Sequence, residues 1–184
     1  MVAESNKQWP PEAGSSGARE RLLVLGMGNE ILSDDGVGLV ILDMVEERLG
    51  DRCGGDVVFK KMNTGGLDLI YEAEGFDRLI VVDAYFAEDA VPGRVRILGA
   101  EDLGAGSSQV DSAHLLSLPD ALEVSRRLGY RTPVLDAAVV VDVGESCLVF
   151  GEELSPGIAM AAREACDIVA GMIEKRYARK RVVA

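Results

Sequence analysis

Three residues have the types and positions to do chemistry together: Asp35 and Asp83, each following an apolar run, and His114, the single histidine of the chain. Two carboxylates and one imidazole form a donor set that can hold a divalent first-row metal and leave coordination positions open. Each residue also has an ordinary structural role. The simplest use of Asp34, beside Asp35, is to cap the helix that follows. Asp83 could bond a loop backbone, and His114 could be a plain loop or core histidine. Two adjacent acids exceed what a cap requires, which makes Asp35 the functional candidate of the pair. Competing chemistries lack parts. There is no G-x-S-x-G elbow and no H-E-x-x-H, and one histidine cannot serve a site that needs two imidazoles. A cysteine nucleophile is poorly placed, because Cys147 and Cys166 fall in segments that read as strand and helix core.

The elements that position these residues follow from periodicity. Leu22-Leu23-Val24-Leu25-Gly26 is short, apolar and glycine-bounded, as expected of a central strand covered on both faces. Val37, Val40, Ile41, Met44, Val45 and Leu49 recur at helical spacing ahead of Gly50, which predicts a helix of about 13 residues ending there. Val57-Val58-Phe59 reads as a strand, Leu67 to Ala73 as a short helix, and Leu79-Ile80-Val81-Val82 as a second buried strand ending at Asp83. Pro92-Gly93 turns into a half-exposed strand at Val95-Arg96-Ile97, and Gly99 to Asp111 is a Gly- and Ser-rich loop closed by His114. A helix is expected from near His114 through Leu128, a buried strand at Val139-Val140-Val141, and a last helix capped by Ser155-Pro156 and reaching Tyr177. Strand and helix alternate throughout, so the fold class is α/β with right-handed crossovers. Both aspartates then belong at the carboxyl edge of the sheet, where such folds bind ligands.

The glycines of Gly26-Met27-Gly28 sit between strand and helix, the context of a dinucleotide fingerprint, but Ile31 replaces the third glycine. Asp34 and Asp35 put negative charge where a pyrophosphate needs the positive helix end. A P-loop is excluded, since no cation occurs in residues 22–47. A non-catalytic nucleotide or small-molecule binding domain, using Gly26, Gly28 and Gly36 for close backbone approach, is the alternative reading of this edge.

The 184 residues suit one domain, 21–184, behind a flexible extension, 1–20, that is rich in Pro, Gly and Ser. Net charge is −12, and five cations in 175–184 leave −17 on residues 1–174, a balance that argues against a nucleic-acid partner. The cations at the chain's end are expected to be a solvated helix terminus complementing its dipole. Three scattered cysteines suggest neither disulfides nor a thiolate zinc site, and no apolar run reaches signal-peptide or membrane-spanning length. These features predict a cytoplasmic chain without membrane insertion.

Leu23-Val24-Leu25-Gly26-Met27-Gly28-Asn29 leading through Leu32-Ser33-Asp34-Asp35-Gly36-Val37-Gly38 resembles the [NiFe]-hydrogenase maturation endopeptidases. Supporting matches are Thr64-Gly65-Gly66, Leu79 through Asp83-Ala84, Pro92-Gly93, the lone His114 and Leu154-Ser155-Pro156, so the resemblance spans about residues 21–177. It implies a three-layer α/β/α sandwich around a twisted, mostly parallel five-stranded sheet. It also implies an aspartic-type endopeptidase, acting as a monomer, that trims the C-terminal extension of the hydrogenase large subunit precursor. Asp35, Asp83 and His114 take the positions of the family's metal-contacting residues, the metal being the nickel of the precursor, for which other divalent ions can substitute. The chain departs from the family pattern at Lys61-Met62-Asn63, where an acid and glycines are usual, at Asp142 inside an apolar strand, and in its N-terminal extension.

Overall fold

Leu22–Met27 carries no side chain that needs water, and it forms β1, buried at every position. The computed structural model describes residues 20–63, 68–103, 118–144 and 149–177. Thr64-Gly65-Gly66, Leu67, His114, Cys147 and the N-terminal extension up to residue 19 lie outside them. After β1 come a 3-10 turn (Ser33–Gly36), α1 (Val37–Cys53), β2 (Val57–Met62), α2 (Asp68–Ala73), β3 (Arg78–Tyr85), β4 (Val95–Leu98), α3 (Leu118–Arg127), β5 (Val134–Asp142) and α4 (Pro156–Tyr177).

The strands form one sheet in the order β2-β1-β3-β5-β4, parallel except for β4, which runs antiparallel to β5. Alternate residues of the central strands face opposite ways. Val24, Val82, Val139 and Val141 pack with Ile41 and Val45 of α1 and Val169 and Ile173 of α4. Leu23, Leu25, Val81 and Val140 pack with Leu69 of α2 and Leu118 and Leu122 of α3. This is the three-layer α/β/α sandwich. From β1 the chain winds outward to β2 on one side, while β3 lies on the other, so the switch point of the topology is between β1 and β3.

Several boundaries differ from the sequence reading. α1 runs 17 residues and passes through Gly50. Cys53, four residues after the buried Leu49, continues its apolar face, and the stop is Gly54, whose φ of 65° most side chains resist. β3 does not end at Asp83 but continues through Ala84 and Tyr85, which pair with β5. α3 begins at Leu118 among the described residues and ends at Arg127, leaving Leu128 exposed. Arg176, expected in solvent at the end of α4, is largely buried and pairs with Glu20, so that residue packs on the domain.

The amino edge is tied by Asp77. Its backbone N–H and that of Arg78 donate to Arg21 O, its own carbonyl accepts from Val134 N, and its carboxylate takes Arg21 N at 2.8 Å and the Arg131 guanidinium. One residue thereby gathers the starts of β1, β3 and β5. Next to it, the β3–β5 register shifts between Leu79 and Ile80, leaving Asp136 as an extra residue that makes a buried ion pair with Arg78.

Burial works to raise the Asp77 carboxyl, but the Arg21 N–H and the Arg131 cation outweigh it and hold it below the usual carboxylate range. A carboxyl depressed on folding contributes stability that is present above its unfolded pKa, near 3.9, and lost as pH falls through the folded value. Urea denaturation as a function of pH is expected to show Asp77→Asn less stable than wild type at pH 7, with the difference closing in acid. A pH-independent difference would contradict this assignment.

Candidate active site

Two backbone contacts bring the candidate residues to one place. A Cβ on Gly38, in the first turn of α1, would overlap the carbonyl oxygen of Met27 and stand 2.5 Å from that of Val82, so the helix rests directly on the carboxyl ends of β1 and β3. A Cβ on Gly28 would likewise run into the Asp35 carbonyl, and its φ of 147° is closed to most side chains. The chain leaves β1, folds over itself and delivers the turn holding Asp35 against β3. Val82 is the last β3 residue in register with β1, and Asp83 is the next residue. Asp35 and Asp83 therefore lie on the same carboxyl edge, as the sequence predicts, and the strand order puts that edge at the switch point. His114 lies outside the described residues, and among those described no group of three metal-ligating side chains is assembled.

The two carboxylates differ in environment. Asp83 is completely buried on the face of Val81 and Tyr85, with Oδ1 accepting the Ala84 N–H at 2.8 Å. Desolvating a carboxylate this far is costly unless hydrogen bonds, a cation or a metal compensate. Asp35 is half-buried. The arrangement offers one rigid, sheltered oxygen donor and one that solvent and substrate can reach.

Asp34 does not cap the first helix. It is fully buried, and its carboxylate reaches across 121 residues to accept the Ser155 N–H at 2.6 Å and the Ser155 Oγ–H at 2.8 Å. The rest of the turn is stapled to the same segment: Ser33 N donates to Gly151 O, Ser33 Oγ to Glu153 O, and Gly151 N to Ile31 O. Ser33 sits at a φ of 30°, a strained value for a residue with a Cβ, held in place by these bonds. Ser155 does open α4, its carbonyl accepting from Ala159 N, but its side chain and N–H serve the Asp35 turn as well.

Asp142, unexpected in an apolar strand, is explained by the antiparallel neighbour. Arg94 and Arg96 both ion-pair with its fully buried carboxylate at 2.7 Å, and Val91 N donates to it at 2.9 Å. Arg96 lies over the Tyr85 ring, 4.3 Å from its centroid, and reaches Asp89. Burial raises the Tyr85 phenol. Burial also works to raise Asp89, but Arg96 prevails and holds it low. Because Tyr85 and Asp142 are register partners two residues beyond Asp83, this cluster closes the sheet edge beside it. Arginines two residues apart, Arg94 just before β4 and Arg96 within it, and an acid within an apolar run are the sequence signals for this pairing. Cys53 and Cys166 are buried, and burial pushes both thiols up, away from nucleophilic use.

Removing the Asp34 carboxylate strands two donors, so Asp34→Ala is expected to cost about 2–3 kcal/mol. Ser155→Ala, which keeps the N–H bond, should cost about 1 kcal/mol. Measured by urea denaturation, the double substitution should be little worse than Asp34→Ala alone, since the two residues share one interaction. Full additivity would show that they act separately.

A family model described as hydrogenase maturation protease matches residues 59–172, well over half of the chain. The hydrogenase 2 maturation protease of Escherichia coli (strain K12) is 34% identical over 111 residues, covering 59% of this chain and 65% of that protein, just under two thirds of its length. The solved structure of the hydrogenase maturating endopeptidase HybD from E. coli superposes with a TM-score of 0.64 at 26% identity, over 84% of this chain and 93% of that one. HybD from Thermococcus kodakarensis, a [NiFe] hydrogenase maturation protease, shares the fold with a TM-score of 0.60 at 24% identity, over 83% of this chain and 98% of that one. With its signature turn folded onto the switch point of the same sheet, the chain belongs to the hydrogenase maturation protease family.

Proposed function

We propose that this chain removes the C-terminal extension of a nickel-loaded [NiFe]-hydrogenase large subunit precursor, with Asp35, Asp83 and His114 meeting the nickel that the precursor carries. The observation that carries this reading is the pair of carboxylates, one buried and one reachable, at the switch point of a maturation protease fold. In this reading the nickel is part of the substrate. An incomplete donor set holds an ion poorly alone but can add to one whose remaining ligands come from elsewhere, so an unfilled precursor lacks a contact that a filled one provides. Asp83, rigid in β3, fixes the position of the ion. In this reading Asp35, half-exposed in its stapled turn, takes the proton of an attacking water and passes it to the leaving amine as the peptide bond is cut. The resulting enzyme needs no deep pocket for a particular side chain, because the metal contributes to selection. Among the described residues no helix is long and apolar enough to cross a membrane.

The test is the intact mass of a nickel-loaded precursor incubated with wild type and with Asp35→Asn, Asp83→Asn and His114→Ala. Wild type should release a C-terminal peptide, each variant should be slower by about a hundredfold or more, and nickel-free precursor should stay whole. Thermal melts show whether Asp83→Asn is folded. Undiminished trimming by folded His114→Ala would remove the nickel-contact reading.

A further inference from the structure

Beside the Asp35 turn, between the start of α1 and the end of β2, lies a groove of about 380 Å³ with an aliphatic floor of Leu39, Val40 and Leu154. Three carboxylates line it, those of Glu30, Asp43 and Glu152, against a single ammonium, Lys61, which is already 2.8 Å from Asp43 Oδ2. Ile31, which lines the groove, is 55% exposed, and the residue before the other end of the Leu32–Gly151 backbone bridge, Phe150, is 80% exposed. Large apolar groups gathered at one place on a surface mark contact sites more often than isolated ones do.

We infer that this groove is an exosite for a segment of the protein partner that carries Arg or Lys next to aliphatic side chains. The charge excess selects cations and repels acidic chains, while the floor and rim take the hydrocarbon that accompanies them. A nucleotide or nucleic acid is disfavoured by the same carboxylates. Ser33 and Gly36 line the groove, so it borders the turn that carries Asp35. A bound segment would thereby be held close to the reacting edge. Lys61, a departure from the family pattern, has a defined effect here: by engaging Asp43 it lowers the groove's appetite for cations. The inference rests on the endopeptidase reading only in taking the partner to be the precursor.

Two measurements test it. The first is fluorescence anisotropy of a labelled Gly-Arg-Leu-Arg-Ile-Gly peptide on the full chain, with Arg→Glu and Leu/Ile→Ser peptides as controls. Saturable binding that weakens with salt is expected, about tenfold weaker in Glu30→Lys/Glu152→Lys and about two- to threefold tighter in Lys61→Met. Glu30 and Glu152 are exposed, so the double variant should fold normally. The second is precursor processing, where the double variant should raise KM about tenfold at unchanged kcat, as loss of uniform binding does. Peptide binding equal in wild type and double variant would overturn the exosite, as would processing with an unchanged KM, which would leave the endopeptidase standing. Groove-dependent peptide binding without any trimming would support the exosite and count against the endopeptidase. Salt-sensitive self-association abolished by the double variant would instead assign the groove to the basic residues 175–181 of a second copy and overturn the inference.

Discussion

The approach of the first turn of α1 to the carbonyls of Met27 and Val82 is the contact on which the rest of this edge depends. It requires glycine at position 38, because any side chain there would meet backbone oxygens that have no freedom to move inside a close-packed sheet. Once the helix is seated, the turn before it has to double back over Gly28, and the position of Asp35 relative to β3 follows. Two residues without side chains thus place two residues whose side chains matter.

The seated turn is then locked from a distance. Asp34, Ser33 and Ile31 take hydrogen bonds from, or give them to, the segment entering α4, so the last helix of the chain stabilises the first loop. The strain at Ser33 is tolerated because these bonds determine the backbone there more strongly than local preference does. A site on a loop is ordinarily mobile, but this one is held by a helix packed across one face of the sheet. On the other side of Asp83, Asp142 with Arg94 and Arg96 fastens β3, β5 and β4 together, so both flanks of the site are rigid. In the proposed function, rigidity of this kind would let the site meet an ion held by another protein, since both ligand sets must then match without adjustment.

Much of the architecture was legible from residue patterns. The apolar run 22–26 and the alternation of strand and helix specify a parallel sheet covered on both faces, and that in turn specifies the edge at which Asp35 and Asp83 meet. Errors fell where local signals compete. Gly50 resembled a helix stop, but burial of Cys53 outweighed its low helix preference. Asp83 resembled a strand end, but its neighbours on β5 extended the ladder by two residues. The resemblance carried by residues 23–38 pointed to the family before any geometry was known, because glycine spacing around a strand-to-helix turn encodes backbone approach and not only composition.

The sequence by itself determined the fold class and the carboxyl edge that Asp35 and Asp83 share, since each depends on short-range periodicity or on a residue's place after a buried strand. Only the tertiary structure decided what Asp34, Asp142 and Lys61 do. Their partners are Ser155, Arg94 with Arg96, and Asp43, and these are separated from them along the chain by 121, 48 with 46, and 18 residues. A charged side chain in one sequence reads the same whether it caps its own helix, clamps a distant segment or lines a groove. Its role is settled by which groups folding brings within hydrogen-bond reach, and by how much water is left between them.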